Sequence, residues 1–197
     1  MVDIEINPRT AGAYVLYNGY FVFMFGFGSN HKDNELGVVR FGGHLEKGET
    51  AIECVTREVK EEASLDIVLY NNKSTYIEKD NGRDYKKIKG DQENNPILVI
   101  KWQDNNLSVM YLAYGYGKLI PNMETQGILL LRKEDIYLIC SKDTTFKEYK
   151  ENGGEFILVN PLPENALLSP HNQLRFLDKL FTLESELMED FMKKYTP

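Results

Sequence analysis

Glu58, Glu61 and Glu62 are spaced so that three carboxylates can act together. They stand at i, i+3 and i+4 in a proline-free stretch of good helix formers, Glu49 to Ser64. On a helix these positions fall in one narrow sector. Like charges at this spacing cost an isolated helix roughly a few tenths of a kcal/mol per pair, and a divalent cation offsets that repulsion. Oxygen-only donors select Mg²⁺ or Mn²⁺. Magnesium takes one or two carboxylates and completes its shell with water and substrate phosphate. An isolated Glu-Glu pair is ordinarily solvated helix surface, so the neighbouring residues decide the reading.

Those neighbours form a strand, a turn and the helix itself. Ala51, Ile52, Val55 and Val59 recur at intervals that line one helix face, which is expected to be buried. Upstream, Gly37 to Phe41 reads as a strand that turns toward the helix at Gly42-Gly43. Glycines there allow positive φ and close approach of the backbone to a phosphate or an ion. Gly48 is the expected N-cap. Arg57 falls outside the carboxylate sector, and Glu53, four residues earlier, is its expected ion-pair partner.

The run from Gly43 to Leu65 resembles the Nudix box, G-x5-E-x7-R-E-U-x-E-E-x-G-U with U aliphatic, the signature of Nudix (MutT-like) diphosphate hydrolases. Gly43, Glu49, Arg57, Glu58, Val59, Glu61, Glu62 and Leu65 fill their slots; Ser64 replaces the second glycine. At average residue usage, a chance match at the eight filled positions has a probability on the order of 10⁻⁶. The resemblance implies an α/β/α sandwich with a mixed sheet and a Mg²⁺-dependent hydrolase (Mn²⁺ as an alternative ion). The bond cleaved is a phosphoanhydride in a nucleoside diphosphate linked to another moiety. It further implies that Glu49 and Arg57 hold loop and helix together, and that Glu58, Glu61, Glu62 and the carbonyl of Gly42 bind metal. Glu61, Glu62 and the late-loop Glu124 are candidates for the general base. Arg40 and His44, flanking the glycine pair, are candidate substrate contacts. Two alternatives share the scaffold: a nucleotide sensor without turnover, and a diphosphate isomerase.

Composition narrows the class. A chain of 197 residues suits one domain with some additions, here a domain over 1–197 whose C-terminal helical extension covers about 169–195. A net charge of -7 argues against a nonspecific nucleic-acid binder. A small nucleotide or other diphosphate remains a suitable substrate, since metal ions neutralise its phosphates. No apolar run reaches the length of a membrane span, and the N-terminal residues lack the basic flank and apolar core of a secretion signal, so a cytoplasmic location is expected. Cys54 and Cys140 read as structural thiols, and His31, His44 and His171 lack zinc-ligand spacing.

Along the chain, Ala13–Tyr17 and Tyr20–Phe25 flank Asn18-Gly19, a two-residue hairpin signal. Two further hairpins are expected, Ser74–Glu78 with Tyr85–Lys89 and Pro96–Gln103 with Leu107–Tyr116. Gly90 to Asn95, including Glu93, reads as a solvated connector. Gly127–Leu131 is an apolar segment followed by a short helix, Glu134 to Cys140. Ser169-Pro170 reads as N-cap and first position of a last amphipathic helix, with Leu177, Leu180, Phe181, Leu187, Met188 and Phe191 on its apolar stripe through about Tyr195. That stripe suits packing on the sheet, with a homodimer as an open alternative. Tyr20, Phe25, Trp102 and Tyr114 are candidates for stacking on a base, against a simple core role.

Overall fold

The computed structural model describes residues 8–28, 34–79, 82–90, 93–102, 106–122 and 125–194. Its centre is the parallel pair of β1 (Thr10–Tyr17) and β9 (Leu107–Tyr116), in register from Thr10 against Ser108 to Leu16 against Tyr114. β1 continues through Asn18-Gly19, both with positive φ as a primed two-residue turn requires, into β2 (Tyr20–Gly26). The N-terminal half of β1 instead pairs with β4 (Phe41–His44), so β1 is antiparallel to two different partners along its length. β9 divides likewise. β8 (Leu98–Lys101) pairs with its first half and β5 (Asp66–Leu69) with its second.

β6 (Ser74–Lys79) and β7 (Asp84–Lys89) form the second expected hairpin, and β6 joins β8 in parallel. On the other side β2 is followed by β10 (Gly127–Leu131) and β11 (Glu155–Leu158). The order β11-β10-β2-β1-β9-β8-β6-β7 thus mixes parallel and antiparallel neighbours. β3 (Glu35–Val39) branches from β2 and carries β12 (Leu167–Pro170) in parallel. The strand expected over Gly37–Phe41 is therefore two strands, broken at Arg40, because β3 follows β2 whereas β4 crosses to β1.

Period-2 alternation sorts the side chains into two cores. Ala11, Ala13, Val15, Val22, Val109 and Ala113 face α1 (Ala51–Ala63), whose Cys54, Val55, Val59 and Ala63 are buried on them. Tyr14, Leu16, Phe21, Phe23, Phe25, Met110, Leu112 and Tyr114 face the opposite way. That side is covered by α2 (Lys133–Ser141), α4 (Asn172–Leu183) and α5 (Ser185–Lys194), with α3 (Phe146–Glu151) packing Phe146 against Phe25 at 5.0 Å between ring centroids. Helices on both faces of a mixed sheet make an α/β/α sandwich. Phe25 and Tyr114 are core residues, not stacking sites, and the Tyr20 hydroxyl donates to Glu155.

The C-terminal segment departs from expectation in two ways. Ser169-Pro170 ends strand β12, and α4 begins after it with His171 at the N-cap. The expected single helix is two, α4 and α5, interrupted at Glu184, whose φ of -137° leaves the helical region. The reason is tertiary. Glu184 accepts from the Tyr76 hydroxyl at 2.9 Å and pairs with Lys87, while Phe181, edge-on, and Phe191, tilted, both pack against Phe21 from either side of the break. No described helix is long and apolar enough to cross a membrane.

Candidate active site

The loop before α1 is tied to the helix by two nested sets of hydrogen bonds. Thr50, not Gly48, is the N-cap: its hydroxyl accepts from Glu53 N at 3.2 Å, and Glu53 Oε2 accepts from Thr50 N at 2.8 Å. This reciprocal capping box occupies Glu53, so the expected Glu53–Arg57 pair does not form. Arg57 reaches back to the loop instead. Its Nε and Nη2 donate to the two oxygens of Glu49 at 2.8 and 3.0 Å, and Nη2 also donates to the His44 carbonyl at 3.1 Å. Its Nη1 donates to Glu58 at 2.8 Å and Glu61 at 3.1 Å, which puts Arg57 among the carboxylates rather than apart from them. The bidentate guanidinium, helped by Glu46 N, holds the Glu49 carboxyl at about 2, far below its usual range.

The three clustered glutamates take different directions. The Glu61 side chain is 56% exposed and Glu58 only 16%, so Glu58 turns toward β4 and Glu61 toward solvent. A β-carbon at Gly43 would collide with the Glu58 carboxylate. Glu62 Oε2 accepts from Gly42 N at 2.8 Å, and Gly42 has φ +133°, a conformation that favours glycine. Gly42, the box glycine Gly43 and two of the glutamates therefore meet where β4 passes α1. Burial, and then the charges of Glu58 and Glu61, push the Glu62 carboxyl up to about 7 against the lowering effect of its Gly42 hydrogen bond and Arg40. Among the described residues no three His, Cys, Asp or Glu side chains converge closely enough to hold a metal ion by themselves. The donor set of two carboxylates beside a glycine backbone fits a hard cation that keeps water and substrate oxygens in its shell. Glu124 lies outside the described residues.

Arg40, in the break between β3 and β4, connects this corner to a cleft. Its side chain lies across Gly12 and Gly42, where a β-carbon at either glycine would strike it. Its Nε is buried without a hydrogen-bond partner, and no described residue forms an ion pair with it. Desolvation lowers its pKa, opposed first by the nearby Glu62 charge. A half-buried guanidinium whose Nε is sealed from water without an acceptor is costly unless an anion completes the group. Arg40 and His44 both line a cleft of about 1100 Å³, along with Arg9, Lys101 and the half-exposed Trp102. Its opposite wall is residues 169–173, from the end of β12 and the start of α4. Sequence reading had no route to Arg9, Lys101 or that far wall. They are distant in the chain and meet only because β9 lies beside β1 and β12 beside β3.

Residues 7–108, just over half of the chain, match the family model described as NUDIX domain. The chain belongs to the Nudix family. Among solved structures it resembles a Nudix-family hydrolase from Clostridium perfringens, with 22% identity, covering 66% of this chain and 84% of that one at a TM-score of 0.46. It also resembles a C. elegans Ap4A hydrolase, with 14% identity, 66% and 84% coverage and a TM-score of 0.44. An ADP-ribose pyrophosphatase from Streptococcus suis shares 20% identity over 64% of this chain and 74% of that one, at a TM-score of 0.39. No curated protein matches. The Nudix match ends at Ser108, so α2 to α5, β10 to β12 and the far wall of the cleft lie beyond it.

Proposed function

We propose that this Nudix chain is a Mg²⁺-dependent hydrolase of a phosphoanhydride in a nucleoside diphosphate linked to another moiety. The observation that carries the reading is Arg40: a half-buried guanidinium whose buried Nε has no partner among the described residues, beside Glu62 on one side and lining the cleft on the other. A substrate phosphate supplies the anion it lacks. Glu58, Glu62 and the Gly42 carbonyl would hold the ion, with Glu61 sharing that task or ordering water. When bound, Mg²⁺ supplies charge neutralisation at the phosphate oxygens and lowers the pKa of water.

The chain's own residues do the rest. Arg57 fixes Glu58 and Glu49 in one clasp, so the carboxylates need no reorganisation as substrate arrives. Arg40 orients the diphosphate, His44 borders it at the end of β4, and Trp102 offers a face for the base. Water attacks one phosphorus in line, its oxygen forming the new P–O bond as the bridging P–O bond breaks, with the electron pair leaving on the departing phosphate. The water proton passes to a carboxylate, for which Glu61, Glu62 and Glu124 are the candidates. No covalent enzyme intermediate is required.

A Mg²⁺-supplemented screen of nucleotide-sugars, dinucleotides, ADP-ribose and nucleoside triphosphates, reading phosphate and mononucleotide release, tests this. Turnover of a diphosphate-linked compound and its loss on chelation are expected. Tight binding without turnover in every arm would instead identify the sensor, and an isomerised product the isomerase.

A further inference from the structure

The far wall of the cleft has its own polarity. α4 begins at Asn172, and its first intrahelical hydrogen bond runs from Arg175 N to His171 O at 3.1 Å. The N–H groups of Asn172, Gln173 and Leu174 precede that bond and have no acceptor within the helix. His171, at the N-cap, makes no side-chain capping bond, in contrast to Thr50 and Thr145, which cap α1 and α3 with full capping boxes. The turn is nevertheless held in place: His171 N donates to Val38 O at 3.2 Å, and the Tyr14 hydroxyl donates to the Gln173 carbonyl at 2.9 Å. The strand that anchors it, β3, ends one residue before Arg40. A helix N-terminus without a side-chain cap, anchored to β3, thus opens into the same cleft as a half-buried guanidinium whose Nε has no acceptor among the described residues.

We propose that the first turn of α4 and Arg40 form one oxyanion subsite for a phosphate of the nucleoside diphosphate, so that a segment outside the matched Nudix residues helps to select the substrate. The proposal rests on the hydrolase reading for the identity of the ligand, but the subsite can be tested by binding alone. The N–H groups and the positive end of the helix dipole contribute directional donors; Arg40 contributes the full charge. Neither needs to move, because β3 carries both.

His171→Asp separates this role from a structural one. An Asp at the N-cap supplies an internal acceptor and a negative charge to the same N–H groups, so it raises helix stability while competing with the ligand. Binding of ADP and of inorganic pyrophosphate to the full chain would be measured by titration calorimetry with Mg²⁺ present, and thermal melting without ligand. The expected result is an unchanged or higher melting temperature with ADP bound at least about tenfold more weakly, and a comparable loss in Arg40→Gln. If His171→Asp fails to fold, Asn172→Pro, which suits the first helical position and removes one N–H, carries the same test with a smaller loss. ADP affinity unchanged in the folded variant, or no binding of either probe to the wild type, would overturn the subsite. Binding that is lost in His171→Asp in a chain that turns over no screened compound would keep the subsite and remove the hydrolase.

Discussion

The two faces of the sheet are built to different rules. Under α1 the strands present Ala11, Ala13, Val15, Val22, Val109 and Ala113, which bring helix and sheet close together; under α4 and α5 they present Tyr14, Phe21, Phe23, Phe25 and Tyr114. Small side chains fix the distance between the carboxylates of α1 and the glycines of β4 with little freedom for repacking. The aromatic face holds its layer apart with bulky rings, whose stacked, edge and tilted contacts engage Phe176, Phe181 and Phe191 respectively. Chemistry is thus placed on the tightly set face and most of the burial on the other, while the cleft is the place where both contribute residues.

Five substitutions sharpen or break that contrast. Glu62→Gln should lower turnover by at least about two orders of magnitude, since under the proposed mechanism it removes a metal-ligand charge, and should leave the fold intact because Gln can still accept from Gly42 N. Circular dichroism beside turnover at saturating Mg²⁺ checks it; near-native activity would take Glu62 out of the mechanism. Phe176→Ala, on the aromatic face, should cost about 3–5 kcal/mol, against roughly 2 for Val59→Ala beneath α1. Urea unfolding of both variants decides the matter, and equal costs would mean that the two faces share one packing regime.

Thr50→Ala removes the hydroxyl half of the α1 capping box and should cost about 1 kcal/mol. The loss should appear in thermal melting, with KM and kcat shifted less than in Glu62→Gln. The smallest effect concerns Ser64, which ends α1 in the left-handed conformation at φ 59° and ψ 15°. A serine there is strained by about 1 kcal/mol relative to glycine, partly offset by the entropy that glycine brings to the unfolded chain. Ser64→Gly should therefore leave melting unchanged or raise it slightly and alter turnover by less than about tenfold. A large gain in turnover would show that the helix end controls the carboxylates after all.

The parts of this fold legible in the sequence are those specified locally. Asn18-Gly19 announces its hairpin because only a few residues tolerate two successive positive φ values, and the helix of the box is visible because its spacing is a property of one turn of chain. The N-cap is local too, but the expectation of Gly48 passed over Thr50 and Glu53, whose spacing is a capping-box pattern and which form the cap. The double helix at the C-terminus was not legible, since Glu184 is neither proline nor glycine and the apolar stripe runs on through it; the break is imposed by Tyr76, Lys87 and Phe21. Ser169-Pro170 carried a genuine helix-start signal that pairing with β3 displaced by two residues. The cleft was hidden for the same reason, its walls being contributed by residues 9–10, 35, 40, 44, 78, 100–102, 106, 108 and 169–173.

Gly12 and Arg40 occupy one volume between them, since a β-carbon at position 12 would strike the arginine's Cδ and Nε. The Phe41 carbonyl oxygen closes the same space from the backbone, so shortening the arginine would not by itself admit a side chain at 12: the glycine is a condition for the arginine and also for the pairing of β1 with β4. A library randomised at both positions and sorted for folded protein should recover glycine at 12 in nearly every clone, including those in which position 40 is small.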